Sequence, residues 1–183
     1  MNEDHRQLFH MAFGTIIAVS TWLVGRETAA AILLFVLLAG LAIIQLKMRG
    51  MREKTVDFLL EKFERLVETP GKGALMFVIG ALFLVTYAKN LDYAVGVLMI
   101  LAVGDAVSTM AGTRGKHPLP WNGKKTWEGF IAFVIGASLA SAYFLNVAAL
   151  VLAILFGLVE TLRIPVDDNL VIPASAVFIE ALL

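Results

Sequence analysis

The sequence predicts an all-α polytopic membrane protein with about seven transmembrane helices; six is the alternative count. Of the 183 residues, 59% are hydrophobic and only 16% are charged, and the apolar residues stand in long blocks. A transmembrane helix needs about 20 residues and tolerates roughly 17, and several blocks are shorter than that. A soluble helical core is the competing interpretation, but a chain of this length cannot shield seven wholly apolar helices from water. No linker divides the chain, so residues 1–183 are expected to form a single domain.

The apolar blocks follow one another with short polar connections. The N-terminus is too polar and acidic for a secretory signal, so we expect the first block to be retained as a transmembrane helix. The predicted membrane-spanning blocks are 11–25, 29–46, 73–88, 93–111, 129–145, 147–158 and 170–183.

One segment between the second and third blocks is amphipathic. Over residues 51–68, Val56, Leu59 and Phe63 share one helical face with neighbouring apolar residues, while charged residues occupy the rest. Pro70 follows and stops a helix. This pattern predicts an interfacial helix that lies on the cytoplasmic side of the membrane.

The basic residues are distributed unequally between the connections. If the N-terminus is cytoplasmic and seven helices follow, 13 of the 15 Lys and Arg residues lie inside, and only Arg26 and Lys89 lie outside. Such an excess favours this orientation. The net charge is zero, and the excess of basic residues on the cytoplasmic side needs no nucleic-acid partner to explain it. The chain has no cysteine, which excludes disulfides and thiolate nucleophiles.

Residues 104–130 carry the strongest chemical signal. Asp105 lies inside an apolar block, where a carboxylate is costly and indicates a functional site. A loop with glycines and four cations follows, and Glu128 closes it. Such a set can bind Mg²⁺ and a nucleoside triphosphate. The loop does not match a P-loop pattern. The basic residues of this loop are Arg114, Lys116, Lys124 and Lys125.

Further polar residues converge on the same predicted membrane side. They include His10 before the first block, Glu160 near the end of the sixth, and Asp167, Asp168 and Asn169 before the seventh. Each has a structural alternative. Asp or Asn can cap a helix, His10 can anchor at the interface, and the small residues that follow Asp105 can form a packing face.

Three motifs occur in the order found in the polyprenol kinase family, which comprises dolichol kinases, phytol kinases and CTP-dependent diacylglycerol kinases. Residues 104–129, GDAVSTMAGTRGKHPLPWNGKKTWEG, resemble the nucleotide-binding region of that family. Residues 6–10, RQLFH, resemble its R-K-x-x-H, with Gln7 as a departure. Residues 160–173, ETLRIPVDDNLVIP, resemble its E-x-L-P-x-D-D-N-L-x-x-P.

The resemblance implies an enzyme that transfers a phosphoryl group from CTP to a lipid alcohol such as dolichol, with Mg²⁺ as cofactor. We assign the metal to Asp105 and one of Asp167 or Asp168, with Asp168 preferred. Glu128 is expected to orient a lysine or to join the metal shell. The remaining carboxylate or His10 is expected to accept the alcohol proton. The expected nucleotide contacts are Gly112, Gly115, Lys116, Lys124, Lys125, Thr126 and Asn169.

Two alternatives remain at this point. Phosphatidate cytidylyltransferases share the G-D-x-x-A, G-K and K-K-T-x-E-G elements, but the rest of their C-terminal signature is missing here. They would also use CTP and Mg²⁺ with attack at a different phosphorus. A non-enzymatic transporter or assembly subunit is the other alternative, although transporters usually place acids near the midplane between repeats.

Overall fold

The computed structural model describes residues 3–50, 54 and 71–182. The predicted amphipathic helix at 51–68 lies outside the described residues except for Lys54. The described part contains seven helices and one two-stranded antiparallel hairpin. The elements are α1 Glu3–Val24, α2 Arg26–Met48, α3 Lys72–Tyr87, α4 Leu91–Gly112, β1 Pro118–Leu119, β2 Asn122–Thr126, α5 Trp127–Leu145, α6 Ala148–Thr161 and α7 Asp168–Leu182.

The helical prediction is confirmed, and each predicted apolar block corresponds to one helix. Four helices, α1, α2, α4 and α5, are long and apolar enough to cross a membrane. The others are shorter, with 16 residues in α3, 14 in α6 and 15 in α7. At about 1.5 Å per residue such helices fall short of a hydrocarbon core of about 30 Å. The count of seven membrane crossings therefore stays a prediction.

Helix α4 is the centre of the bundle. In its most apolar window 61% of the residues are buried, compared with 11% in α2. A π-helical turn, Ile100–Gly104, interrupts α4 directly before Asp105. The wider turn shifts the register of the residues that follow, and such turns occur often at functional sites. Asp105 therefore begins the last α-helical segment of α4, Asp105–Gly112.

The periphery of the bundle is apolar. Phe35 on α2 is 73% exposed and Leu139 on α5 is 75% exposed, and many large apolar side chains on these helices are similarly open. Contiguous apolar surface of this extent indicates a surface that contacts lipid or another apolar partner.

The helices alternate in direction, so their connections gather at two ends. At the far end, the α3–α4 turn contacts both the start of α2 and the C-terminal part of α7: Arg26 Nη1 donates to the Ala88 carbonyl at 2.5 Å, and the Lys89 amide donates to Glu180 at 2.7 Å. At the site end, the loop after α4, the hairpin and the α6–α7 loop come together. Arg26 and Lys89, the two basic residues expected on the outer side, thus share the far end.

Candidate functional site

Three carboxylates from three helices meet at the site end. Asp105 of α4, Glu160 of α6 and Asp168 of α7 each contribute one oxygen, and these oxygens lie within 4.8 Å of one another. We call these residues the carboxylate cluster. Helix packing rather than proximity in sequence creates it, since more than 50 residues separate Asp105 from Glu160. Carboxylates at this spacing repel one another unless a cation lies among them.

Glu160 is the member that sequence reasoning did not assign as a ligand. It is 2% exposed, forms an ion pair with Lys125 of β2, and accepts a hydrogen bond from Ser108 Oγ at 3.3 Å. The signal was available, because an acid in the apolar α6 is costly without a partner. The partner could not be read from the sequence, since the hairpin brings Lys125 to α6 from 35 residues away.

The electrostatics of the cluster show a deficit of positive charge. The pKa values of Lys125 and Asp168, which lie outside the four candidate membrane-crossing helices, reflect this deficit. Burial raises the pKa of Asp168 to about 7; Lys125 opposes this rise, whereas the charges of Asp105 and Glu160 add to it. Burial lowers the pKa of Lys125, but its attraction to Glu160 outweighs burial and the net shift is upward. One ammonium thus faces three carboxylates, an arrangement that favours binding of a further cation.

A cavity of about 290 Å³ opens beside the cluster, between the end of α4 and the hairpin. Glu160 and Lys125 line it and belong also to the cluster or its ion pair, so the cavity and the cluster are contiguous. The rest of the lining supplies hydroxyl groups, a second lysine and close backbone. These groups are Ser108, Thr109, Thr113, Thr126, Lys124, Gly112 and Gly129, and the ring of Phe130 adds one apolar wall. Hydroxyl and ammonium donors around a cavity of this size suit a phosphate chain.

Thr126 joins the cavity wall to the start of α5. Its Oγ1 accepts a hydrogen bond from the Gly129 amide at 3.2 Å, as an N-cap does. The same hydroxyl donates to the Gly112 carbonyl at 3.4 Å. Gly115 packs against this corner, because a Cβ there would come within 2.5 Å of Thr126 Oγ1. Among the predicted nucleotide contacts, Gly115 therefore has a packing role and Thr126 also supports the fold.

Glu128 holds the glycine loop and lies outside the carboxylate cluster. Its carboxylate accepts from the Lys116 amide at 2.9 Å and from the His117 amide at 3.3 Å, and it contacts His117 Nδ1 at 2.7 Å. Both of its predicted roles stay predictions, because the carboxylate contacts the backbone amide of Lys116 and not its ammonium group. The Lys116 side chain is exposed and is not among the residues that line the cavity.

The two adjacent acids before α7 face different surroundings. Asp167 Oδ1 accepts from the Asn169 amide at 3.1 Å and from Asn169 Nδ2 at 2.9 Å, which closes a turn. Asp168 joins the cluster. Pro173 cannot donate to the Asn169 carbonyl, and this carbonyl lies against Gly80 of α3, where a Cβ would come within 1.9 Å of it. The close α3–α7 contact thus fixes where Asp168 begins its helix.

The N-terminal motif reaches the cluster through His10. Its Nε2 lies 3.7 Å from Asp105 Oδ2 and has no hydrogen-bond partner among the described residues. The ring meets Phe77 edge to face, with centroids 5.3 Å apart. Arg6 instead pairs with Glu3, and Gln7 is buried and donates to Glu3 at 3.2 Å.

Two known proteins are similar to the chain over nearly its whole length. The first is the uncharacterized protein MJ1137 of Methanocaldococcus jannaschii, 32% identical over 182 residues, which cover 98% of this chain and 93% of that protein. The second is a probable chloroplastic phytol kinase 2 of Oryza sativa subsp. japonica, 24% identical over 200 residues, which cover 98% of this chain and 66% of the kinase. No family model matches the chain. No solved structure matches it.

Proposed function

The chain belongs to the family of the uncharacterized protein MJ1137, and from that premise we propose that it is a membrane lipid-alcohol kinase that uses CTP. The contiguity of the carboxylate cluster with a cavity rich in hydroxyl and ammonium groups carries this proposal. The distant similarity to a phytol kinase supports a kinase of isoprenoid alcohols. The choice of CTP over ATP rests on the resemblance to polyprenol kinases.

The donor set of the cluster fits a magnesium ion. Asp105, Glu160 and Asp168 offer three carboxylate oxygens, and Mg²⁺ prefers oxygen ligands from a small number of carboxylates together with phosphates. The deficit of positive charge around Asp168 supports the same ion. When bound, Mg²⁺ neutralises charge on the phosphates of the nucleotide.

The residues of the cavity bind the triphosphate in this proposal. Lys124 and Lys125 supply positive charge, and the Thr109 hydroxyl donates a hydrogen bond. The hydroxyl protons of Ser108 and Thr126 are directed to Glu160 and to the Gly112 carbonyl, so these two side chains shape the wall of the cavity. These contacts exist already in the ground state and mainly set the affinity for the nucleotide. Lys125 has a second role, because its ion pair with Glu160 ties the hairpin to the carboxylate cluster.

The acceptor alcohol approaches from the side of α1. His10 is placed to accept its proton, since Nε2 lies beside Asp105 and has no hydrogen-bond partner among the described residues. Asp167 is the alternative acceptor, but its Oδ1 already closes the turn with Asn169. A lipid acceptor suits the location, because Leu8, Phe9 and Phe13, which flank His10 on α1, expose apolar side chains.

The proposed placement is an integral, multi-pass membrane protein with its N-terminus and site on the cytoplasmic side. Four helices of sufficient length and apolarity support membrane embedding. The orientation is supported by the basic residues, of which 13 of 15 fall on the side of the site in the seven-helix topology. CTP is then available from the cytoplasm and the alcohol from the bilayer.

A labelled-donor assay tests the function. Purified protein in vesicles receives γ-labelled CTP, Mg²⁺ and one of three alcohols: dolichol, geranylgeraniol or diacylglycerol. We expect label in a lipid monophosphate with one of these alcohols, and a much lower yield from γ-labelled ATP. Equal use of ATP would contradict the donor assignment. Incorporation of label from α-labelled CTP with phosphatidate would assign the chain to the cytidylyltransferases instead.

A further inference from the structure

The α6–α7 loop exposes apolar side chains at the site end. Leu162 is 51% exposed, Ile164 40% and Val166 49%, and none of them belongs to a helix or strand. Loops in contact with water are usually polar. Two exposed tryptophans, Trp121 at 43% and Trp127 at 40%, lie at the same end. Neither the carboxylate cluster nor the cavity uses these five residues.

One hydrogen bond and one ring contact bring the two tryptophans to the start of this loop. Trp121 Nε1 donates to Thr161 Oγ1 at 3.1 Å, which places the hairpin turn against the residue before Leu162. The Trp121 and Trp127 rings meet edge to face with centroids 5.7 Å apart. We call Trp121, Trp127, Leu162, Ile164 and Val166 the aromatic–apolar patch.

The patch continues the apolar outer face of α6. Leu155 and Leu158 are 39% and 41% exposed, and with Leu162 they follow the spacing of one helical face. The exposed Arg163 belongs to this loop, and the exposed Lys124 follows Trp121 by three residues in the hairpin. Tryptophan beside aliphatic and basic residues is typical of the boundary between hydrocarbon and headgroups, and the basic residues complement anionic lipid. Continuity and charge thus favour a bilayer surface over a protein partner.

We propose that the aromatic–apolar patch inserts into the headgroup region of the bilayer and holds the hairpin at the membrane surface. This inference rests on the membrane placement proposed above but not on kinase activity. Insertion of the patch would place the cavity at the same depth as the lipid headgroups. Because Trp121 and Lys125 belong to the same hairpin, the patch sets the height of the cavity at the level where a membrane alcohol exposes its hydroxyl.

Tryptophan quenching by brominated lipids measures this depth. Two variants of the full chain each keep one tryptophan: Trp22→Phe with Trp127→Phe retains Trp121, and Trp121→Phe with Trp127→Phe retains Trp22 in α1. Vesicles contain phosphatidylcholine brominated at shallow or deep acyl positions. We expect Trp121 to be quenched at least about two-fold more by the shallow label than by the deep label, with emission at shorter wavelength than in water.

The Trp22 variant separates this inference from the membrane placement. Trp22 lies near the end of α1 and packs on Tyr143, so lipid label should quench it if the bundle is embedded. Quenching of Trp22 without quenching of Trp121 would overturn the patch alone. Loss of lipid quenching for both would overturn the membrane placement and the patch together, with folding checked by circular dichroism in each variant.

A charged substitution provides the second test. In the variant that retains Trp121, Ile164→Asp adds a charge to the exposed loop, which is away from the cavity lining. We expect shallow-label quenching of Trp121 to fall by about half or more, because a carboxylate resists transfer from water. Unchanged quenching would contradict insertion of this loop. Adding anionic phosphatidylglycerol should strengthen quenching of Trp121, and Arg163→Gln should reduce that gain; no response to anionic lipid would contradict the proposed role of the basic residues.

Discussion

The two ends of the helix bundle both contain acids in apolar surroundings, but the partners of these acids differ. At the far end, Glu180 accepts from the amides of Lys89 at 2.7 Å and Asn90 at 3.1 Å, and Lys89 Nζ donates to its carbonyl at 2.8 Å. Protein groups satisfy this carboxylate. At the site end, Asp105, Glu160 and Asp168 converge with one lysine among them.

The difference shows that position in an apolar block is not what marks a functional acid. Glu180 joins the α3–α4 turn to α7 and stabilises the fold, whereas the cluster gathers like charges whose repulsion a bound cation would offset. The cluster differs from Glu180 because, among the described residues, Lys125 is the one lysine that pairs with its three carboxylates. Substitutions at the far end should therefore change stability, and substitutions at the site end should change activity.

The largest effect is expected at Asp105. Asp105→Asn keeps the shape but removes the charge for Mg²⁺, and we expect turnover to fall by about 10³-fold or more. The matched control is Asp92→Asn on the same helix, exposed at the far end, which should retain activity. Steady-state kinetics with CTP measure both. Near wild-type turnover of Asp105→Asn would make this residue structural.

The adjacent acids before α7 offer the next comparison. Asp168→Asn removes a cluster oxygen charge and should lower kcat by about 100-fold. Asp167→Asn keeps an acceptor for the Asn169 amide and should stay within a few-fold of wild type. Equal losses in the two variants would show that the segment acts as a unit and not through Asp168.

The two lysines of β2 should separate binding from chemistry. Lys124→Ala removes a charge from the cavity and should raise KM for CTP by about 10-fold with little change in kcat. Lys125→Ala also leaves Glu160 buried without its ion pair, so kcat should fall as well. Identical changes in KM and kcat for both variants would contradict the distinct roles of these lysines.

The smallest effect is expected at the far end. Glu180→Gln weakens the contacts to the Lys89 and Asn90 amides and should cost about 1 kcal/mol of stability, as the loss of a helix cap does. Its thermal unfolding midpoint should fall while kcat and KM stay unchanged. A loss of activity without a loss of stability would remove the contrast between the ends.

Much of this architecture can be predicted from the sequence. An apolar block away from water must pair its backbone N–H and C=O groups internally, and a helix does so. Each predicted block became one helix, and the sequence placed Arg26 and Lys89 apart from the other basic residues. The sequence does not determine the number of membrane crossings, because α3, α6 and α7 are too short to span a hydrocarbon core on their own. The hairpin was predicted only as a loop, although Pro118 pairs with Thr126 and Leu119 with Asn122.

The sequence singles out several residues of the candidate site but not the contacts that join them. Asp105 and Asp168 lie in one cluster, but Glu160 links them to Lys125, and this link needs the hairpin to meet α6. The different surroundings of Asp167 and Asp168 depend on the turn that Asn169 closes. The π-helical turn before Asp105 has no periodic signature in the apolar α4. Such features arise from tertiary packing and not from local preference.

Cation binding shows whether the carboxylate cluster is a metal site. Mn²⁺, which replaces Mg²⁺ at oxygen ligands, can be titrated into purified protein and followed by electron paramagnetic resonance. We expect one bound ion per chain, displaced by Mg²⁺, retained in Glu180→Gln and lost in Glu160→Gln and Asp168→Asn. Binding that survives both cluster substitutions, or no binding to the wild-type chain with CTP present, would contradict this expectation.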